Sequence, residues 1–284
     1  MKKITVNTIR KMKEAGEKIS MLTAYDYSTA KYIDEAGIDM ILVGDSVAMV
    51  VLGYENTNSI GMTEMEIFTK AVVKGAQHSF IVADMPFMSY HTDIPTAVKN
   101  CGRMISIGAN AVKIEGGSDY IVELVQRLAD CGIPVVAHLG FTPQSQNLLG
   151  GFVVQGKNLE AAKEILEQTK KLEKAGAFAV VLEMVPEEVG KYITENVSIP
   201  TIACGGGKYC DGQVLVCDDI FGKFSDFKPK FARRYANMQE IITQAASEYN
   251  DDVKSGSFPS YDEVFHLSST EIDQLEGKLC CCTK

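Results

Sequence analysis

The stretch DMILVGDSVAM (Asp39–Met49) sets a short apolar run against an abrupt stop on Gly44, Asp45 and Ser46. Four consecutive apolar residues followed by a glycine and a carboxylate describe a buried parallel strand that delivers a charged side chain at its C-terminal end. The same grammar recurs downstream. SFIVADMPF ends on Asp84, NAVKIEGG on Glu115, IPVVAHLG on His138 and FAVVLEMVP on Glu183. If these strands run parallel, all five side chains meet at one face.

Outward from that stretch the chain alternates strand and helix. Residues 7–16 read as a leading helix, ISMLTAYD as a strand and YSTAKYIDEAG as a helix closing on Gly37. Val47 to Gly61 reads as a loop long enough to be a lid, followed by Thr63 as a cap with Glu66 three residues on, opening a helix to Gln77. With PTIAC and a last strand near VLVCDD, the count reaches eight strands. The pattern predicts an α/β fold, a (β/α)8 TIM barrel with an N-terminal helix and a C-terminal helical extension, its active site at the C-terminal mouth.

One unit breaks the alternation. Only GGGKYCDGQ separates PTIAC from VLVCDD, short for a parallel crossover, so a reduced helix is expected there. PKFARRYANMQEIITQAASEYNDDVKSG reads as an amphipathic helix that closes the barrel. A single catalytic domain is expected over 1–266, with 267–284 a flexible tail carrying Cys280, Cys281 and Cys282.

Composition narrows the function. At 284 residues and 46% apolar, the chain can bury a large single core. A net charge of −9 argues against nucleic acid or an anionic membrane as partner, since both call for a basic face. The charged N-terminus lacks an apolar signal core and no membrane-length apolar run occurs, so the expected location is cytoplasmic. Five of the eight cysteines are scattered singly without a CxxC pair, which fits a reduced compartment.

Asp45, Asp84 and Glu115 offer hard oxygen ligands from three neighbouring strands, a set suited to Mg²⁺ held with waters and a chelating substrate. Lys113 lies two residues before Glu115 and so points to the same side, where it can pair with a substrate carboxylate. A 2-oxo acid satisfies both partners. Glu183, among Val180, Val181, Leu182, Met184 and Val185, is a candidate base for removing a proton next to a polarised carbonyl. Each of these has a plainer reading. A strand-end carboxylate often caps a helix or anchors a loop, Lys113 can serve only to neutralise Glu115, and His138 reads as a mouth residue bonded to backbone, with a role in orienting the ligands behind it kept open.

The segments GDSVAMVVLGY, ADMPFMSY, AVKIEGG, HLGFTPQSQNLLGGFVVQGK, LEMVP, SIPTIACGGGKYCDGQVLVCDDIFG and KPKFARRYAN closely resemble the ketopantoate hydroxymethyltransferase family, from about Thr5 to His266. The resemblance implies a TIM barrel, usually a homodecamer, that binds Mg²⁺ and uses 5,10-methylenetetrahydrofolate to hydroxymethylate 3-methyl-2-oxobutanoate. Carried over by position, the family's metal ligands fall on Asp45, Asp84 and Glu115, its substrate contacts on Asp45, Ser46, Asp84 and Lys113, and its base on Glu183. The implied route is chelation of the oxo acid by Mg²⁺, proton removal by Glu183 to give a stabilised enolate, and attack on the folate-derived methylene carbon. The chain departs from the family after the seventh strand, where IACGGG replaces the usual IGIGAG. Two other readings stay open at this point: a carbon–carbon lyase of the phosphoenolpyruvate mutase and isocitrate lyase group, and a barrel kept only for binding.

Overall fold

Strict alternation of side chains along a strand decides where each residue of this chain ends up. In the computed structural model, which describes residues 2–224 and 229–277, eight strands form a closed parallel barrel in sequence order. They are β1 (Ile19–Thr23), β2 (Met40–Val43), β3 (Phe80–Asp84), β4 (Ala111–Glu115), β5 (Val135–Gly140), β6 (Ala179–Glu183), β7 (Thr201–Cys204) and β8 (Gly212–Leu215). The barrel closes by parallel pairing of β8 with β1, Ile19 opposite Gly212 through Leu22 opposite Leu215. It is not closed by the C-terminal helix that the sequence suggested for that role.

Two apolar cores follow from the alternation. Met21, Met40, Leu42, Phe80, Val82, Ala111, Val136, Val181, Ile202 and Val214 fill the barrel interior. Ile41, Val43, Ile81, Ala83, Val112, Ile114, Val135, Val180 and Leu182 point the other way, against the helices. Helix Tyr27–Glu35 packs on helix Met62–Gly75, and Asp119–Asp130 on Leu159–Ala175. Continuing the inward rows past the interior core delivers Asp84, Glu115, His138, Glu183 and Cys204 to the mouth. The polar strand ends are thus inward positions that lie too high in the barrel to be packed.

Several local expectations change. Helix Met62–Gly75 starts after Gly61, whose N–H donates to Glu64 Oε2 at 2.9 Å, so Thr63 is not its cap. The stretch from Val47 to Gly61 is not bare loop, since Val47–Val50 forms a helical turn and Thr57–Ser59 a 3-10 turn. Residues 205–211 between β7 and β8 contain no helix at all, not even a reduced one. A link that short leaves no length for one, and the two strands share only the pairs Ile202–Gly212 and Ala203–Gln213.

The chain divides into two compact units, Met1–Ala236 and Asn237–Lys284. In the second, the long helix spans Met238–Ser255, shorter than the sequence suggested, and buries none of its residues. A further helix, Ser269–Leu275, falls in the stretch expected to be tail and is capped by Ser268 and Glu271. Cys280, Cys281 and Cys282 lie outside the described residues. Cys101, Cys131, Cys204, Cys210 and Cys217 are all free thiols. No helix among the described residues is long and apolar enough to cross a membrane.

Candidate active site

The mouth opens into a cavity of about 810 Å³. Asp45, Ser46, Asp84, Lys113, Glu115 and Glu183 all line it, so every residue singled out from the sequence reaches one space. Lys113 is the hub of the charged side. Its Nζ lies 2.9 Å from Asp84 Oδ1, 3.7 Å from Glu115 Oε1 and 3.1 Å from His138 Nδ1.

Burial sets the electrostatics. Asp45, Asp84, Lys113, Glu115 and His138 are all buried, and the desolvation of a charge must be offset by a partner. Burial, reinforced by the neighbouring carboxylates of Asp84 and Glu115, pushes Asp45 well above the usual carboxylate range. Burial also raises Asp84, with Lys113 opposing it. Glu115 goes the other way. Burial would raise it, but the hydrogen bond and charge of His138, together with Lys113 and the Gln144 N–H, hold it low. For Lys113, burial alone would lower the pKa, and the three carboxylates Asp84, Glu115 and Asp45 outweigh that and hold it up.

Two functional positions, Gln144 and Tyr90, went unread in the sequence, and a third, His138, was placed at the mouth without its partners. Gln144, in the loop after β5, donates through Nε2 to Asp45 Oδ2 and to the Met85 carbonyl, each at 2.8 Å, and its backbone N–H donates to Glu115 Oε2 at 3.1 Å. Tyr90 donates to Gln144 Oε1 at 2.8 Å and accepts from the Glu115 N–H. His138 is not a backbone-bonded bystander. Its Nε2 lies 3.3 Å from Glu183 Oε2 and its Nδ1 3.4 Å from Glu115 Oε1, so it bridges the charged cluster to the candidate base. The only signal for His138 was its place at a strand end; nothing local marks Gln144 or Tyr90.

Glu183 is therefore not an isolated carboxylate among apolar neighbours. Val180 and Leu182 face the helices, while His138 and Cys204 share its side of the wall. The backbone turns sharply behind it: Met184 holds a left-handed φ of 47°, unusual for a residue with a side chain. Gly140 makes room for that turn, because any side chain there would run into the Glu183 carbonyl. Ser46 is tied to Tyr25, the two hydroxyls 2.9 Å apart.

Oxygen chemistry dominates the cluster. Asp84 Oδ1 and Glu115 Oε1 are buried without a well-oriented hydrogen bond, and so is His138 Nε2. Among the described residues, no three His, Cys, Asp or Glu side chains converge into a ready-made metal cage. A hard cation that keeps several waters and takes only one or two carboxylates needs no such cage, and these two carboxylate oxygens, which share the single cation Lys113, suit it. Zinc finds no matching Cys and His set here.

Fold and site together define an α/β-barrel enzyme with a buried, carboxylate-rich mouth. The comparisons sharpen that to a family. The model of the ketopantoate hydroxymethyltransferase family matches residues 3–261, and the chain belongs to that family. It is 52% identical over 272 residues to a 3-methyl-2-oxobutanoate hydroxymethyltransferase of Clostridium botulinum, covering 95% of this chain and 98% of that one. A protein of the same name from Dehalococcoides mccartyi is 51% identical, with 96% and 98% covered. In three dimensions the chain resembles phosphonopyruvate hydrolase bound to oxalate and Mg²⁺, with a TM-score of 0.60, 12% identity and 97% and 96% of the two chains covered. It also resembles 2,3-dimethylmalate lyase, with a TM-score of 0.57, 13% identity and 96% and 98% covered. At that identity these two speak for the barrel alone.

Proposed function

We propose that the chain transfers a hydroxymethyl group from 5,10-methylenetetrahydrofolate to 3-methyl-2-oxobutanoate, giving 2-dehydropantoate. The observation that carries this is the convergence of Asp45, Ser46, Asp84, Lys113, Glu115 and Glu183 on one cavity in a member of this family. Asp45, Asp84 and Glu115 would hold Mg²⁺, directly or through water. When bound, the ion supplies a Lewis acid that polarises the keto oxygen and acidifies the adjacent methine.

The chain's own groups do the rest. Lys113, held cationic by its three carboxylates, faces the oxo acid's carboxylate, and Ser46, braced by Tyr25, offers a hydroxyl beside it. Gln144 and Tyr90 fix the orientation of Asp45 and Glu115, so that a small substrate meets a prearranged set of oxygens. Glu183 Oε2, steadied by His138, removes the methine proton. Water releases the donor's methylene carbon as formaldehyde, breaking both of its C–N bonds and leaving tetrahydrofolate; the carbon exposed by proton removal attacks that formaldehyde carbon, and the resulting alkoxide takes up the proton held by Glu183. A homodecamer belongs to this reading on the family resemblance alone, and sedimentation of the full chain tests it; the cytoplasmic location expected from the sequence is carried as part of the same proposal.

Proton NMR of 3-methyl-2-oxobutanoate in D₂O tests the chemistry. Mg²⁺-dependent loss of the methine signal, with the donor added if needed, is the expected result. Glu183→Gln should slow that exchange by about 10²- to 10⁴-fold while oxo-acid binding persists. A methine proton that stays in place with both Mg²⁺ and the donor present overturns the transferase reading.

A further inference from the structure

The cavity is far larger than its proposed acceptor. About 810 Å³ is room for a drug-sized ligand, whereas 3-methyl-2-oxobutanoate has only a handful of non-hydrogen atoms, and the charged residues that suit it crowd onto β2 to β6. The unused space lies along β7 and β8. Its wall is apolar, formed by Val214, Leu215 and Val216 and by Gly205, against which the Phe231 ring lies so closely that an added side-chain carbon would sit 2.8 Å from Cδ1.

One carboxylate interrupts that wall. Asp219, on the short helix Cys217–Phe221 that follows β8, is only 9% exposed, and what remains exposed lines the cavity. No hydrogen bond or ion pair engages its carboxylate among the described residues, although Arg234 acts on it from a distance. Its neighbour Asp218 is fully committed: Cys217 Sγ donates to Oδ2 at 3.1 Å, and Lys223 Nζ lies 3.1 Å from Oδ1. A buried carboxylate that no hydrogen bond or ion pair engages among the described residues, facing a largely apolar slot, carries a desolvation cost that a ligand with paired N–H groups removes. The rim beyond Phe231 is basic in a chain of net charge −9. A second cavity of about 430 Å³ shares Gly205, Leu215 and Phe231 with the first and adds Arg233 and Tyr235, and Lys230 borders the first.

We infer that the β7–β8 half of the mouth seats the bicyclic head of the one-carbon donor, with Asp219 accepting from its 2-amino group and the adjacent ring N–H. The inference rests on the transferase reading. A flat 2-amino-4-oxopyrimidine edge presents two parallel donors spaced for a carboxylate, and its faces suit an apolar slot. With that edge on Asp219, the carbon-bearing end of the head points across the cavity toward Glu183 and Lys113. The anionic glutamate tail then leaves over Phe231 toward Lys230 and Arg233, where opposite charge awaits it.

Calorimetric titration of tetrahydrofolate into the full chain saturated with Mg²⁺ and the oxo acid tests this. Asp219→Asn should weaken binding tenfold or more. A tetrahydrofolate analogue with methyl in place of the 2-amino group should bind the wild-type chain at least tenfold less well than tetrahydrofolate, and Asp219→Asn should erase that discrimination. The analogue needs no variant, so a poorly folded Asp219→Asn leaves the test intact. Arg233→Gln should narrow the preference for triglutamate over monoglutamate forms. Equal affinities for the analogue and tetrahydrofolate overturn the assignment of Asp219 alone. Failure of the wild-type chain to bind tetrahydrofolate overturns the transferase reading together with it.

Discussion

The two ends of the barrel treat buried carboxylates in opposite ways. At the end where the strands begin, Asp34 Oδ1 accepts from the Ser79 N–H and hydroxyl at 2.7 and 2.8 Å and from the His78 N–H, while Oδ2 faces the Gln77 N–H and His78 Nδ1. Asp39 ties the Ser20 N–H and hydroxyl, and Asp211 gathers the Thr201 N–H, the Thr201 hydroxyl and Lys13. At the mouth, Asp84 and Glu115 are as deeply buried as Asp34 yet each turns an oxygen to the one shared cation, Lys113, at 2.9 and 3.7 Å, instead of to a ring of backbone donors. Burial raises Asp34 too, but its five donors outweigh that and hold it far below the ordinary carboxylate range, whereas Asp45 and Asp84 are raised. Carboxylates at the first end fasten strands; those at the mouth crowd around one lysine, more negative groups than it can neutralise.

If that contrast is right, removing charge should cost function at one end and stability at the other. The largest effect is expected from Asp84→Asn. Steady-state turnover should fall by about 10²- to 10³-fold, the scale set by loss of one electrostatic stabiliser, while the thermal midpoint of the metal-free chain stays level or rises. Asp34→Asn should do the reverse, leaving turnover intact and lowering unfolding free energy by about 3 kcal/mol in urea titrations, because buried donors lose a charged acceptor. An Asp34 variant that lost turnover but kept its stability would break the comparison.

The acid limb of stability sharpens it. Asp34 has a lower pKa folded than unfolded, so its contribution is complete above the unfolded value of about 4 and is lost as pH falls below that. Between about pH 5 and pH 2 the wild-type urea midpoint should drop more steeply than that of Asp34→Asn. The smallest effect is expected at the pair formed by Lys13 and Asp211, 2.9 Å apart with both side chains partly accessible. Lys13→Met should cost about 1.5 kcal/mol, lost mainly through its bonds to Asp211 and the Ile199 carbonyl.

What the sequence made legible follows from one geometric fact. A strand carries every second side chain to the same side, so an apolar run ending on Asp84, Glu115 or Glu183 announces both the barrel and the acidic mouth. Lys113 beside Glu115 was readable for the same reason. Gln144 and Tyr90 were not, because they act from loops whose return path is set by tertiary packing, and no period in the chain points a loop residue at Asp45. Asp219 sits just beyond β8 next to the equally acidic Asp218, and only the folded chain shows that one is spoken for and the other is not. The helix expected between β7 and β8 came from counting alternations, and the seven residues of GGGKYCD leave no room for it.

That missing helix has a consequence for how the wall breathes. β5 and β6 are joined by five register pairs and covered by a long helix on the outside, whereas β7 and β8 share two pairs and have no helical cover of their own between them. Local opening costs least where paired backbone and buried contacts are fewest. Amide exchange should therefore be fastest at this seam and slower along β5 and β6 on the proton-handling side.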